Sequence, residues 1–259
     1  MQRSSPKTRL SSEIEELELE SFVLQLEVDG LCVVPPEQTG VDEETIKAVA
    51  ERLLLEAEET VGCSFDLAEG PAAEVTMNAD ENVIADLSGD HGEPTQFLLQ
   101  QLCARDRLFR DLAVNRVALA LIRHLIGHAA TRFSSHNAFV KWQGEFGYGR
   151  NLGMHCDQIA VPRPWGRNAL TANTNWCITD YSLEEGALVY VPGSHRRTEP
   201  PRFPEAVELA VPVEAPAGSL IVFHGATWHG AVPRAVEGMR LSIANYFRHY
   251  MILPQDDIK

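Results

Sequence analysis

Apolar positions in the first half of the chain recur at helical spacing. Between Ser12 and Glu27, Ile14, Leu17, Phe22, Leu24 and Leu26 sit among glutamates, and DGLCVVP then reads as a glycine turn with a short strand near 31–34. In DEETIKAVAERLLLEAEETVG, Ile46, Val49, Leu53 and Ala57 fall on one stripe and Gly62 lies just past its end, which predicts a second helix. Residues 63–93, rich in Gly, Ala, Asp and Asn, read as an irregular excursion. Helices are expected again over PTQFLLQQLCARDRLFRDLA, opened by Pro94, and over NRVALALIRHLIG, stopped by Gly127.

After residue 130 the period shortens to two. RFSSHNAFVKWQ, NLGMHCDQIAV, LTANTNWCITDY, ALVYVPG, GSLIVFHG and RLSIANYFRHY are β-rich runs separated by Gly, Pro and Asn, with no helix-length pattern between them. Short strands at this spacing predict an antiparallel barrel or double sheet. The expected organisation is one domain over 1–259: a mostly helical part, 1–129, ahead of a β core, 130–250.

Charge changes this picture only locally. The net charge is −15, but residues 1–100 hold 23 Asp/Glu against 5 Lys/Arg, whereas the remainder holds 14 against 17. The acidity belongs to the N-terminal third, where a solvated helical surface explains it, and the β region is free to accept an anion. Nothing points to nucleic acid. Five scattered cysteines without a C-x-x-C pair argue against a disulfide framework or a structural zinc site. The opening MQRSSPKTRLSSEIEEL has no apolar leader core and no run approaches a membrane span, so an intracellular, cytoplasmic protein is expected.

Candidate chemistry starts at MHCDQIA. On a strand, His155 and Asp157 project to one face with Cys156 on the other, which suits joint chelation of a metal ion. The spacing alone is weak, because His91-Gly-Glu93 repeats it at what reads as a helix-entry turn. A third ligand has to come from His195, His224 or His229. His229 follows the strand end LIVFHG and precedes a Gly-Ala turn and a last strand starting at Arg240. Two histidines and one carboxylate bound on one face leave three positions open, as in non-heme Fe(II) oxygenases.

H-x-D, then GALVYVPGSHR, then W-H-G, then an arginine eleven residues after the last histidine, resembles the phytanoyl-CoA dioxygenase family of Fe(II)/2-oxoglutarate-dependent oxygenases. The likeness covers about 130–250, and FVLQLEVDGLCVVP resembles the family's usual opening. It implies a double-stranded β-helix (jelly-roll, cupin-like) core, with His155, Asp157 and His229 holding Fe(II). Arg240 would bind the distal carboxylate of 2-oxoglutarate, a role its planar fork of donors suits. Trp176 matches an aromatic position bordering the co-substrate, and Asn137 and Asn173, on strands expected to line the barrel, are further candidate contacts. Many relatives carry Ser two residues after the last histidine, where this chain has Ala231.

The activity implied is oxidation, by default hydroxylation, of an unactivated C–H bond in a small organic metabolite. 2-Oxoglutarate and O2 would be consumed to give succinate and CO2, with ascorbate as an optional reductant. A carboxylate at 157, where halogenases of the superfamily have a small residue, favours hydroxylation over halogenation. Arg163, Arg167, Arg196, Arg197 and Arg202 near the site leave room for a substrate carrying a carboxylate. His195, in PGSHRR, is either a loop support or a substrate contact. The stretches 63–93 and 158–171 are expected to cover the site. Two rivals stand: a cupin-like metal protein or isomerase that does not use 2-oxoglutarate, and an inactive family member that binds a partner through its acidic third. Oligomeric state is not legible.

Overall fold

The computed structural model describes residues 11–75, 83–85 (backbone only), 95–144, 151–166 and 168–255. The expected first helix is two, α1 (Ser12–Glu16) and α2 (Glu20–Asp29), because Glu18 takes a left-handed backbone conformation (φ 55°) that interrupts the turn. The strand near 31–34 is β1 (Leu31–Val34). After α3 (Pro36–Thr39) comes α4 (Glu43–Val61), capped by the Asp42 carboxylate on Thr45 N–H and closed by left-handed Gly62.

Within 63–93 lie a small hairpin, β2 (Phe65–Asp66) with β3 (Gly70–Pro71), and β4 (Val83–Ala85). His91 and Glu93, the second H-x-E/D match, lie outside the described residues. The helix expected from Pro94 to Ala113 is a correction. Gln96–Leu99 forms strand β5, and only then do α5 (Leu102–Arg105) and α6 (Arg107–Ala113) follow. The reason is tertiary: β5 covers the edge of the long strand β6 (Thr131–Trp142), pairing Gln96 with Lys141 and Leu99 with Ala138. Pairing an edge offsets a helical propensity that was only marginal. Helix α7 (Arg116–Ile126) is as expected, capped by Asn115 and ended at Gly127.

The remaining elements are β7 (Thr171–Cys177), β8 (Leu188–Tyr190), α8 (Glu205–Glu208), β9 (Val211–Pro212), β10 (Leu220–His224), β11 (His229–Ala231) and β12 (Met239–His249). One seven-stranded sheet runs β1-β10-β7-β12-β6-β5-β4, and a three-stranded sheet runs β11-β8-β9. Every pairing is antiparallel. This is the expected jelly-roll core with a helical layer against the outside of its larger sheet.

Alternation along β6, β7 and β12 divides the molecule. One set of positions, including Val140, Trp176, Leu241 and Ile243, packs with Leu121 of α7, Val49 and Leu53 of α4 and Ile14 of α1 in one apolar cluster. Burying each such side chain contributes about 1.5–3 kcal/mol, which holds the helices to the sheet. The opposite set faces the second sheet and a cavity. All five cysteines are free, and no described helix is long and apolar enough to cross a membrane.

Candidate metal centre

His155 and His229 are brought together by a two-residue bridge rather than a full strand pair. His155 N–H donates to the His229 carbonyl at 2.8 Å and His229 N–H to the His155 carbonyl at 2.9 Å, which sets the rings 4.3 Å apart. NLGMHCDQIAV is therefore not the strand the alternation suggested. His155 sits in the bridge, and Asp157 begins a 3-10 turn, Asp157–Ala160. The turn folds the carboxylate back to the histidines: Asp157 Oδ1 is 3.5 Å from His155 Nε2 and Oδ2 is 3.6 Å from His229 Nε2. One donor atom from each residue falls within 4.8 Å of the others, a span that a single ion bridges at ordinary ligand distances.

Both imidazoles are oriented through their other nitrogen. His155 Nδ1 is 2.7 Å from the Gly153 carbonyl and His229 Nδ1 is 3.0 Å from the Thr227 carbonyl. A carbonyl can only accept, so each Nδ1 carries the proton and each Nε2 keeps its lone pair for the centre. Asn173 Nδ2 donates to Asp157 Oδ2 at 2.5 Å, leaving Oδ1 the less encumbered oxygen. Burial raises the Asp157 carboxyl, but His229, His155 and the Asn173 bond more than reverse it, and the net shift is downward. Burial and the neighbouring His155 push His229 down to about 4. Burial also lowers His155, but Asp157 outweighs it and the net direction is up. At neutral pH the site thus presents an ionised carboxylate and a neutral His229, the protonation states that ligands require.

The centre opens onto a cavity of about 290 Å³. In-register positions on β6, β12 and β7 form layers along it: Lys141 with Arg240, then Phe139 with Ser242 and Cys177, then Asn137 with Ala244 and Asn175, then Ser135 with Tyr246 and Asn173; all of these but Lys141, Ser242 and Cys177 line the cavity. Arg240, 2 % exposed, makes no ion pair among the described residues. Its Nη1 donates to Tyr181 Oη at 2.6 Å and Ser242 Oγ at 3.0 Å, and its Nε is buried without a partner. A guanidinium held this way at the floor of a cavity is poised for an anion. Lys141, beside it in register, donates to the carbonyls of Gly186 and Val232.

Of the sequence candidates, His155, Asp157, His229, Arg240, Asn137 and Asn173 all line this cavity, and so does Ala231. Trp176 does not. It lies on the opposite face of β7, fully buried in the helix-side cluster, so its assignment beside the co-substrate is corrected. His195 packs near His224, with ring centroids 5.4 Å apart, and against Gly30, where a Cβ would come within 2.3 Å of its ring; neither histidine lines the cavity. The arginines expected near the mouth are engaged elsewhere. Arg197 pairs with Glu205 and lies over Trp228, Arg202 pairs with Glu199, and Arg196 donates to the Glu27 carbonyl. Arg163 is exposed and Arg167 lies outside the described residues. Sequence reasoning missed Asn175, Tyr246 and Gln255. The first two share β7 and β12 parity with Asn173 and Arg240, a signal that was available; Gln255 had none.

Comparison with known proteins agrees with this geometry. The model of the phytanoyl-CoA dioxygenase (PhyH) family matches residues 26–241. "Dioxygenase af480" of Aspergillus fumigatus is 36% identical over 126 residues, 48% of this chain and 39% of that protein. "Uncharacterized protein Rv1501" of Mycobacterium tuberculosis is 34% identical over 96 residues, 37% of this chain and 35% of its own length. The chain therefore aligns with well under half of the length of either relative. Among solved structures, the epimerase SnoN from nogalamycin biosynthesis, determined with Fe3+, alpha ketoglutarate and nogalamycin RO, superposes with a TM-score of 0.65 at 20% identity, covering 90% of this chain and 84% of that one. HygX from Streptomyces hygroscopicus, with nickel and 2-oxoglutarate bound, gives 0.61 at 16% identity, over 92% and 89%. At those identities the likeness shows the fold, and the matched family model shows the lineage: this chain belongs to the phytanoyl-CoA dioxygenase family.

Proposed function

We propose that the protein is an Fe(II)- and 2-oxoglutarate-dependent oxygenase that hydroxylates an unactivated C–H bond of a small organic molecule. The observation that carries this reading is the pairing of two features in one cavity. His155, Asp157 and His229 converge on a point at its wall, and a buried Arg240 with an unpartnered Nε stands at its floor. The donor set suits a divalent first-row metal with open positions, and the arginine suits the distal carboxylate of a dicarboxylate co-substrate. Related structures hold iron or nickel with 2-oxoglutarate.

When bound, iron with 2-oxoglutarate and O2 supplies the oxidising power for hydrogen abstraction, with ascorbate serving as a reductant that keeps the metal ferrous. The chain's own share is positioning. His155 and His229 turn Nε2 to the metal because Gly153 and Thr227 hold Nδ1, and Asn173 fixes the Asp157 carboxylate through Oδ2. Arg240, braced by Tyr181 and Ser242, orients the co-substrate. Tyr246, pushed up to about 12 by burial and by Asp157, stays a neutral phenol beside the centre. We place the helical lead-in and the β core in one catalytic domain, a reading supported by the apolar cluster that runs unbroken from Ile14 to Phe247.

The test is succinate formation by anaerobically iron-loaded protein given 2-oxoglutarate, O2 and ascorbate. Slow turnover is expected from wild type, with none from Asp157→Ala or His229→Ala. Absence of both 2-oxoglutarate binding and succinate in wild type would leave a metal-binding or inactive family member. Incorporation of ¹⁸O from O2 into product separates hydroxylation from the epimerisation that SnoN's description names.

A further inference from the structure

We infer that the part of the substrate entering the cavity is uncharged and carries hydroxyl or N–H donors, recognised by an amide collar of Asn137, Asn175 and, from the C-terminal tail, Gln255. The inference rests on the oxygenase reading and adds the substrate's chemical class. Its first support is where positive charge sits. Among the described residues that line the cavity, Arg240 at its floor is the one arginine or lysine; Lys141 beside it in register and the Arg248–Arg132 pair beyond Tyr246 do not line it. The two layers above the phenyl ring of Phe139 are built from neutral groups: Asn137, Ala244 and Asn175, then Ser135, Tyr246 and Asn173. Apart from His155, Asp157 and His229, no described residue lining the cavity above its floor carries a formal charge.

Of the arginines expected near the mouth, Arg197, Arg202 and Arg196 are committed to Glu205, Glu199 and the Glu27 carbonyl. Arg248 is also committed, because its Nη1 donates to the carbonyls of His249, Tyr250 and Ile252 and so shapes the tail. A carboxylate or phosphate placed among the collar residues would lose its water without gaining a cation, a desolvation cost that the neutral collar does not offset. Neutral hydroxyls carry no such cost.

The second support is a pair of orphaned acceptors. Asn137 Oδ1 and Asn175 Oδ1 are both buried and have no hydrogen-bond partner, and they flank the small side chain of Ala244 in one layer. Buried polar atoms in native proteins are almost always partnered. 2-Oxoglutarate cannot serve, because at neutral pH its carboxylates and ketone only accept. A donor on the other ligand, placed in this layer, would complete the asparagine acceptors. Asn137 is accordingly a substrate contact here and not the co-substrate contact the sequence suggested.

The third support is the tail. Gln255 lines the same cavity, tied down by its N–H to Ser134 Oγ and by its Oε1, which accepts from Ser135 Oγ, each at 2.8 Å. That leaves its amide N–H groups for a ligand. A volume of about 290 Å³ is at the small end for a ligand pocket and is shared with the co-substrate. One hydroxylated ring or a short chain fits, and any larger remainder lies outside.

The experiment uses full-length protein loaded with Ni(II) and 2-oxoglutarate for equilibrium binding, and the iron-loaded protein for succinate release. Uncharged hydroxylated probes (methyl glucoside, myo-inositol, a hydroxylated anthraquinone) are compared with anionic ones (decanoate, decanoyl-CoA). At least one uncharged probe is expected to bind and to raise succinate release above the substrate-free rate. Its Kd should rise about tenfold in Asn137→Leu and severalfold in Gln255→Leu, the loss of one hydrogen bond to a buried and to an exposed amide respectively, while the Kd for 2-oxoglutarate moves less than about twofold. Stimulation by anionic probes alone or by none, or unchanged probe affinity in both variants, overturns the inference. Because Gln255 is exposed, that variant keeps the test open if Asn137→Leu does not fold. Failure of wild type to bind 2-oxoglutarate at all would instead strike the oxygenase reading beneath it.

Discussion

The two faces of the larger sheet, built from the same three strands, are chemically opposite. On β6, β7 and β12 the helix-facing positions read Ala138, Val140, Ala172, Trp176, Leu241 and Ile243. The cavity-facing positions read Asn137, Phe139, Asn173, Asn175, Arg240 and Tyr246. Helix-side polar groups are few; Asn245 Nδ2 donates to Thr174 Oγ1 at 2.8 Å, while Asn245 Oδ1 and Trp176 Nε1 are buried without a partner. Cavity-side groups include the buried unpartnered atoms of Asn137, Asn175 and Arg240. One face is dominated by apolar packing, and the other by polar groups around a cavity. Stability and chemistry should therefore be separable on a single strand, residue by residue.

The largest separation is expected at His229. His229→Ala should abolish stoichiometric metal binding and reduce succinate formation by more than about a thousandfold, since one of three ligands is gone, with little change in Tm of the metal-free protein. A metal titration alongside a melting curve decides it. Next, Trp176→Ala should cost about 3–5 kcal/mol in denaturant unfolding through the cavity it leaves, while the surviving folded protein binds metal normally. Weak metal binding by a folded Trp176→Ala protein would break the two-face comparison. Arg240→Met should then weaken 2-oxoglutarate about 10- to 100-fold by calorimetry, through loss of charge-assisted bonds, and leave the metal site intact.

Finer effects sharpen the contrast. Asn173→Ala should lower metal affinity about tenfold with no global destabilisation, because the Asp157 carboxylate loses the donor that orients it. Asn115→Ala, on the helix side, should cost about 1 kcal/mol in unfolding: its Oδ1 caps α7 at Ala118 N–H and its Nδ2 holds the Thr39 carbonyl. No change in co-substrate affinity is expected from it.

Sequence periodicity made most of the fold legible, and it failed where local and tertiary preferences diverge. Helices α4 and α7 were readable because stripe, cap and glycine stop agree. Strand β5 was not, since Gln96–Leu99 becomes extended only by covering the β6 edge. On β7, Asn173 and Trp176 were both offered as co-substrate contacts. They are three apart, and a strand places such residues on opposite faces, so at most one could qualify. Asp157 reaches His155 through a different element from the one alternation suggests: the 3-10 turn, not a strand, brings its carboxylate there.

The sequence by itself determined the candidate ligand types and their order, the antiparallel class of the core, and the caps that start and stop its principal helices. All of these are carried by local spacing and by side-chain chemistry. Tertiary structure alone decided which parity of each strand faces the cavity, because period-2 alternation is symmetric until a second layer covers one side. It also decided that Arg196, Arg197 and Arg202 are spent on their neighbours and that Gln255, 120 residues from Ser135, is tied to it at the cavity wall. Contacts of that kind have no local signature, for they exist only once the chain has come back on itself.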